Sequence, residues 1–364
     1  MTSQSPPFRA DQVGSLLRPS YLKDARLLHE GGEITSEDLR AEEDRAIREL
    51  VAKEEATGLQ SITDGEFRRA WWHLDFLSRL DGVVTTENPG LRFRGTEEQP
   101  PIATVVGEVR CSRPIMVDDF TFLKSLTRRT PKITIPSPSM LHLRGGRASI
   151  SREVYPSLDR FWSDTAEAYR QAIAHLAAAG CTYLQMDDVS FSYLCDEKFR
   201  ANCRHNGDDP DELARTYART INQALASRPA GLAVTMHTCR GNFKSTWVAT
   251  GGYEAVAEAI FSTDIDGFFM EFDSERAGGF EPLRLLPKNK KAVLGLVTSK
   301  VGEIESKDAL KRRIDEAARF APIENLCLSP QCGFSSSHHG NQLSEEEQWA
   351  KLRLIVEVAR EVWG

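Results

Sequence analysis

The chain has no apolar run of the roughly 20 residues that a membrane-spanning helix needs, so nothing in it reads as an integral membrane protein. It has no basic excess either. Lys and Arg number 46 against 53 Asp and Glu, a net charge of −7 with both signs interspersed, which excludes the electropositive footprint of a nucleic-acid binder. The opening residues, Met1-Thr-Ser-Gln-Ser-Pro-Pro7, lack the apolar centre of a secretory signal, so the expected compartment is the cytoplasm. The seven cysteines (111, 181, 195, 203, 239, 327 and 332) are odd in number and widely spaced. In a reducing compartment they read as thiols or metal ligands, not as a disulfide framework. No linker or low-complexity tract divides the chain, so residues 1–364 are expected to form one domain.

What the sequence does contain is a series of short apolar segments, most followed by a helical pattern. Eight read as strands: Phe8–Ser15, Leu59–Glu66, Lys132–Ser139, Tyr183–Val189, Ala233–Asn242, Gly267–Phe272, Ala292–Thr298 and Leu326–Cys332. Helices are expected over Ser36–Thr57, Leu158–Ala179, Asp209–Ser227, Tyr253–Phe261, Ser306–Phe320 and Ser344–Trp363. Their ends carry the chemistry of caps. Thr35 or Ser36 opens the first and Gly58 follows it, Asp209 precedes Pro210, and Ser344 with Glu347 spells a capping box. Around residues 80–110 the pattern breaks. Gly82–Thr86 and Leu91–Gly95 alternate about Asn88-Pro-Gly90, as a hairpin insertion would. Strands alternating with helices imply a parallel sheet, and eight such units imply an α/β fold of the (β/α)8 TIM barrel type carrying that insertion.

The polar residues collect at the C-terminal ends of the strands, the catalytic face of such a barrel. In an extended strand, residues i and i+2 share a face, so His237 and Cys239 are presented side by side. Glu271 ends the sixth strand and Cys332 the eighth. One imidazole and two thiolates suit zinc, with Glu271 as a fourth or exchangeable ligand. A thiol substrate in the open position is then held as thiolate, its nucleophilic form. The competing reading makes Cys239 and Cys332 small apolar core residues and His237 a hydrogen-bonded core histidine. It accounts for each singly, but not for their convergence at strand ends. Cys111, Cys181, Cys195, Cys203 and Cys327 have no such setting and read as structural.

Across nearly its whole length the chain resembles the catalytic C-terminal barrel of cobalamin-independent methionine synthase and its short single-barrel relatives. The likeness rests on Val13-Gly-Ser15, Asp64-Gly-Glu66, Gln185-Met-Asp187, His237-x-Cys239, Glu271 and Ser329-Pro-Gln-Cys332, in that order. It implies zinc on His237, Cys239, Glu271 and Cys332, with homocysteine sulfur on the metal. It also implies that Ser15, Glu66 and Asp187 hold the amino acid part. An ammonium group wants carboxylates, and a carboxylate wants hydroxyl or N–H donors. Glu66 and Asp187 have a plainer alternative, ion pairs with Arg18, Arg68 or Arg69.

The activity implied is zinc-dependent methyl transfer to homocysteine, giving methionine, from a methyltetrahydrofolate-type donor. Three departures from the family pattern stand out. The chain has no counterpart of the second barrel that helps full-length enzymes bind polyglutamyl folate. Asp188 stands where the family usually has Glu. Lys300 stands near the place of the family's catalytic histidine, so Lys300 and Asp187 are the candidate catalytic residues. Two other functions stay open: alkyl- or epoxide-to-thiol transfer of the coenzyme M kind, and a zinc-binding relative without turnover. The expected partners are a small-molecule thiol acceptor and a methyl or alkyl donor, with neither nucleic acid nor membrane. Self-association into a homo-oligomer is left open. Trp71-Trp72-His73 either lines a pocket for a flat donor or covers apolar surface. His338-His339 is either a further acid or ligand or part of a solvated loop.

Overall fold

Helices follow most of the apolar strands and carry the chain back to the sheet's starting edge, so successive strands pair in parallel. The computed structural model describes residues 5–87, 101–242 and 244–364. In chain order the strands are β1 (Ser61–Ile62), β2 (Asp81–Thr86), β3 (Ile102–Arg110), β4 (Thr130–Pro131), β5 (Ile133–Pro136), β6 (Tyr183–Asp188), β7 (Ala233–Thr238), β8 (Gly267–Glu271), β9 (Lys291–Val297) and β10 (Leu326–Pro330). Six form one parallel sheet in the order β10-β9-β8-β7-β6-β5. Strands β5, β6, β8 and β10 are buried along their whole length, as strands inside a parallel sheet are.

The first two expected strands are much reduced. Leu59–Glu66 keeps only β1, paired in parallel with β4. Phe8–Ser15 touches the sheet through a single parallel bridge, Ala10 with Leu328. The reason is local competition for backbone donors. Asp11 accepts from the N–H groups of Phe8 (3.0 Å) and Gln12 (2.8 Å), and Glu54 accepts from that of Thr63 (3.2 Å), so side chains replace a ladder there. Backbone bonds still tie these segments to their neighbours. Asp11 N–H donates to Leu328 O (3.0 Å), Leu16 N–H to Gly65 O (3.1 Å) and Lys132 N–H to Ile62 O (2.7 Å).

Within the insertion, an antiparallel pair is present. β2 pairs antiparallel with β3, Val83 opposite Val105, and both side chains are buried. The expected strand Leu91–Gly95 and the turn at Asn88-Pro-Gly90 lie outside the described residues.

The caps hold. Thr35 and Asp38 form a capping box on Ser36–Thr57, and Gly58 closes that helix at φ 100°. Asp209 accepts from the N–H groups of Asp211 and Glu212, and Ser344 pairs with Glu347. Among the described residues, three helices of nine residues or more were not legible: Ser20–Glu30, Val117–Leu126 and Glu197–His205. The last is almost wholly polar and buries only Arg200 and Cys203, so it offers no apolar stripe to read. Phe161, Ala168, Ala172 and Leu176 are buried in the main core, as their helical spacing requires. Cys327 packs apart from them with Val13, Phe269 and Val293. Among the described residues no helix is long and apolar enough to cross a membrane.

Candidate metal centre

Because the strands run parallel, their C-terminal ends lie along one edge of the sheet. The register sets His237 of β7 directly opposite Asp187 of β6, and Glu271 of β8 opposite Gly295 of β9. Cys239 follows β7 by one residue, its N–H bonded to Asp188 O at 2.7 Å. Cys332 lies two residues beyond β10. One ligand atom from each of His237, Cys239, Glu271 and Cys332 falls within 4.8 Å of all the others, and all four residues are buried. Glycine makes this convergence possible. A Cβ on Gly295 would sit 2.8 Å from Gln331 Cα, and one on Gly333 would sit 1.9 Å from Ser15 Oγ. Only bare backbone lets the Gln331–Gly333 turn approach β9 and the Ser15 segment this closely.

The donor set fits zinc. Cys239 and Cys332 sulfurs are 3.5 Å apart, against about 3.8 Å for two thiolates bound tetrahedrally at about 2.3 Å from one ion. His237 Nδ1 lies 3.4 Å from the Asp187 carboxylate, while its Nε2 is buried with no hydrogen-bond partner among the described residues. A carboxylate on one ring nitrogen fixes the tautomer and leaves the other to a metal.

Charge in the cluster is strongly shared. A hydrogen bond from Cys239 holds the Cys332 thiol well below its usual range, against burial and with help from His237. The same bond, together with burial, drives the Cys239 thiol well above its usual range. Burial alone would lower the His237 imidazole, but the neighbouring Cys332 and Asp187 push it up to about 10. Burial would raise the Glu271 carboxyl, and Lys300, Arg276 and Arg240 overcome it and lower it. Glu271 accepts from the Arg240 N–H (2.8 Å) and from Arg276 Nη2 (3.1 Å).

A small cavity of about 40 Å³ opens beside the cluster, and Ser15, Glu66 and Asp187 line it along with His237, Cys239 and Cys332. Glu66 sits at φ 59°, directly after Gly65 at φ 63°. A left-handed glutamate is costly and aims its carboxylate away from the path a strand would give it. Thr134 Oγ1 donates to Glu66 (2.8 Å), and Arg69 lies 3.8 Å away. Burial raises the Glu66 carboxyl to about 7, aided by Asp187 and Asp64 and opposed by Arg69 and Thr134. Of the three arginines weighed as partners, only Arg69 forms an ion pair with Glu66. Arg68 instead binds Glu43, Asp44 and Asp119, and Arg18 donates to the carbonyls of Glu66 and Arg69.

Lys300 is buried next to the cluster, with Nζ 3.2 Å from Thr246 O and 3.5 Å from Asn242 Oδ1. Asp188 also borders the cavity, but its carboxylate is taken up by Ser137, Ser139, Ser190 and the Phe191 N–H. Of Trp71-Trp72-His73, Trp72 reaches the cavity, Trp71 meets His338 edge-on at 6.0 Å, and His73 is buried. His338 and His339 are half-buried and stack on each other at 3.9 Å, outside the ligand cluster.

Two residues that matter here escaped the sequence reading. Arg240 stands next to Cys239 and was within reach of the motif. Arg276 sits in a turn after β8 with no spacing signal.

Comparison with known proteins gives one answer. A family model described as the catalytic domain of cobalamin-independent synthases matches residues 8–361. An uncharacterized Bacillus subtilis protein, YxjG, is 49% identical over 99% of this chain and 96% of its own. A methionine synthase of Saccharolobus solfataricus is 25% identical over 98% of this chain and 95% of its own. Among solved structures, a putative vitamin-B12-independent methionine synthase from Listeria monocytogenes aligns over 100% of both chains, with 41% identity and a TM-score of 0.81.

Proposed function

Because the chain belongs to the family of cobalamin-independent synthase catalytic domains, we propose that it is a zinc-dependent transferase that moves a methyl group onto the sulfur of homocysteine, giving methionine. The observation that carries this reading is the meeting of His237, Cys239, Glu271 and Cys332 within 4.8 Å, with the buried His237 Nε2 left without a partner. We also read the eight strand segments as one closed barrel of the TIM type and residues 1–364 as one domain. The backbone bonds from Asp11 to Leu328 and from Lys132 to Ile62 support closure. The cytoplasm is the compartment we assign to it.

Bound zinc would supply a Lewis acid that keeps an acceptor thiol deprotonated and in place. His237, Cys239 and Cys332 would hold it, with Glu271 as the ligand that exchanges. The Arg240 N–H and Arg276 hold the Glu271 carboxylate in place and keep it charged. Asp187 orients His237 and, with Glu66, offers carboxylates to the acceptor's ammonium group, while the Ser15 hydroxyl meets its carboxylate. The acceptor sulfur forms a bond to the alkyl carbon as that carbon's bond to its carrier breaks. The electron pair stays with the carrier, which takes up a proton. Lys300 is our candidate for its donor.

A methyltetrahydrofolate-type molecule is the donor we assign by family. Alkyl- or epoxide-to-thiol transfer is the second reading. The acidic pair facing the cavity favours an ammonium-bearing acceptor over a sulfonate thiol. The deciding test is zinc content on protein purified without chelators, followed by homocysteine titration. About one zinc per chain with proton release on adding the thiol is expected. Metal-free protein, or zinc indifferent to thiol, would refute the assignment. Zinc with thiol binding but no turnover with any donor would favour a binding protein.

A further inference from the structure

A second, wider cavity of about 590 Å³ adjoins the first, and Arg144 stands in the wall of both. This guanidinium is unusual for the chain. Arg18, Arg68, Arg69 and Arg276 are all met by carboxylate or carbonyl oxygens. Arg240 also lacks an ion pair, but it is fully buried over the Tyr253 ring at 4.5 Å and borders neither cavity. Among the described residues no carboxylate lies within ion-pair distance of Arg144. Its hydrogen bond goes from Nη1 to His73 Nε2 (3.0 Å), and its Nε is buried with no acceptor. His73 is no counter-ion. Burial and the Arg144 charge hold its imidazole well below the usual range, hence neutral. On the wall of the wider cavity, the Tyr193 hydroxyl is likewise buried without a partner, and Phe199 packs edge-on against that ring at 5.4 Å.

A cation at the junction of two cavities and a hydroxyl on the wall of the wider one, both short of acceptors, suit an oxygen-rich anion. The guanidinium fork matches a planar carboxylate, and the aromatic edge beside it suits a flat apolar body. We propose that Arg144 and Tyr193 form a carboxylate-binding subsite for the alkyl donor, which would lie from the metal centre into the wider cavity. Calling the ligand the donor rests on the transferase reading, in which Ser15 already serves the acceptor's carboxylate. The subsite itself does not depend on that reading.

The test uses benzoate, a flat monocarboxylate, titrated calorimetrically into the full chain with and without zinc, and benzamide as its neutral counterpart. Benzoate should bind with or without zinc, and benzamide about tenfold more weakly or less. Arg144→Gln should weaken benzoate about tenfold, Arg144→Lys by less, and Tyr193→Phe by about threefold to fivefold. Zinc content and homocysteine affinity should stay unchanged in all three. No benzoate binding, equal binding by Arg144→Gln or by benzamide, or displacement of benzoate by homocysteine would overturn the proposal. Should Arg144→Gln fail to fold, the lysine and phenylalanine variants carry the test. Arg144-dependent benzoate binding in a chain that neither holds zinc nor turns over would refute the transferase reading and leave the subsite standing. Turnover without Arg144 dependence would do the reverse.

Discussion

The two walls of the metal-centre cavity are built differently. On one, His237, Cys239 and Cys332 stand at or just past the ends of β7 and β10 in the parallel sheet, with Glu271 of β8 in the ligand cluster beside them. On the other, Ser15 and Glu66 stand on turns where the strands have dwindled to a bridge and a two-residue pair. There Gly14, Gly65 and Glu66 all take positive φ. The ligand wall draws its precision from sheet register, which fixes every side chain once one is placed. The acid wall draws it from local backbone strain held down by buried polar contacts, among them Arg18 on the Glu66 carbonyl. A metal site tolerates little misplacement and sits on rigid elements. The turn-built wall is the one that a change of substrate can remodel.

That contrast can be broken most severely on the ligand wall. Cys239→Ser or Cys332→Ser should remove nearly all bound zinc and all transfer activity. Circular dichroism should show the fold intact, because serine is close to cysteine in size and the other core residues packed around Cys239 and Cys332 are untouched. Full zinc and activity in either variant would refute the site. A smaller effect on the same wall is expected of Asp187→Asn, which loosens the hold on His237 Nδ1. Zinc affinity, read by chelator competition, should fall about 10- to 100-fold.

The acid wall should break through stability instead. Gly65→Ala places a methyl 2.6 Å from Leu50 and 2.7 Å from the Phe67 ring, at a left-handed φ. It should cost about 2–3 kcal/mol in urea unfolding of the zinc-free chain while leaving zinc affinity unchanged. A loss of zinc affinity there would mean that the two walls are not independent.

The mildest test is pH. With its carboxyl near 7 in the folded chain against 4.5 unperturbed, Glu66 binds a proton more tightly folded than unfolded between those values. Its contribution to stability is therefore full below about 4.5 and is lost as the pH rises through about 7. Homocysteine affinity should move the other way, weakening about tenfold per unit below pH 7 as the carboxylate protonates. Glu66→Gln should flatten both profiles. A Glu66→Gln variant with an unchanged binding profile would assign the titration to another group.

Much of this was legible from residues alone, for a physical reason. Strand alternation has a strict period of two, so His237 and Cys239 could be placed on one face without coordinates. Caps are equally local. Thr35, Asp209 and Ser344 bond to backbone within three residues. The pairing of β2 with Ile102–Arg110 was not read from the sequence, because a partner strand is settled by contacts that alternation alone does not encode. Asp188 looked like a site carboxylate. Its cage of Ser137, Ser139 and Ser190 comes from two strand ends about 50 residues apart.

By itself, then, the sequence determined the parallel α/β order, the caps and the four candidate ligands, because each depends on contacts a few residues long or on a fixed strand period. Only the tertiary structure decided that those ligands meet, that Arg240 holds Glu271, and that Arg144 faces two cavities with no counter-ion among the described residues. Those outcomes depend on distances between segments tens to hundreds of residues apart, which no local pattern encodes.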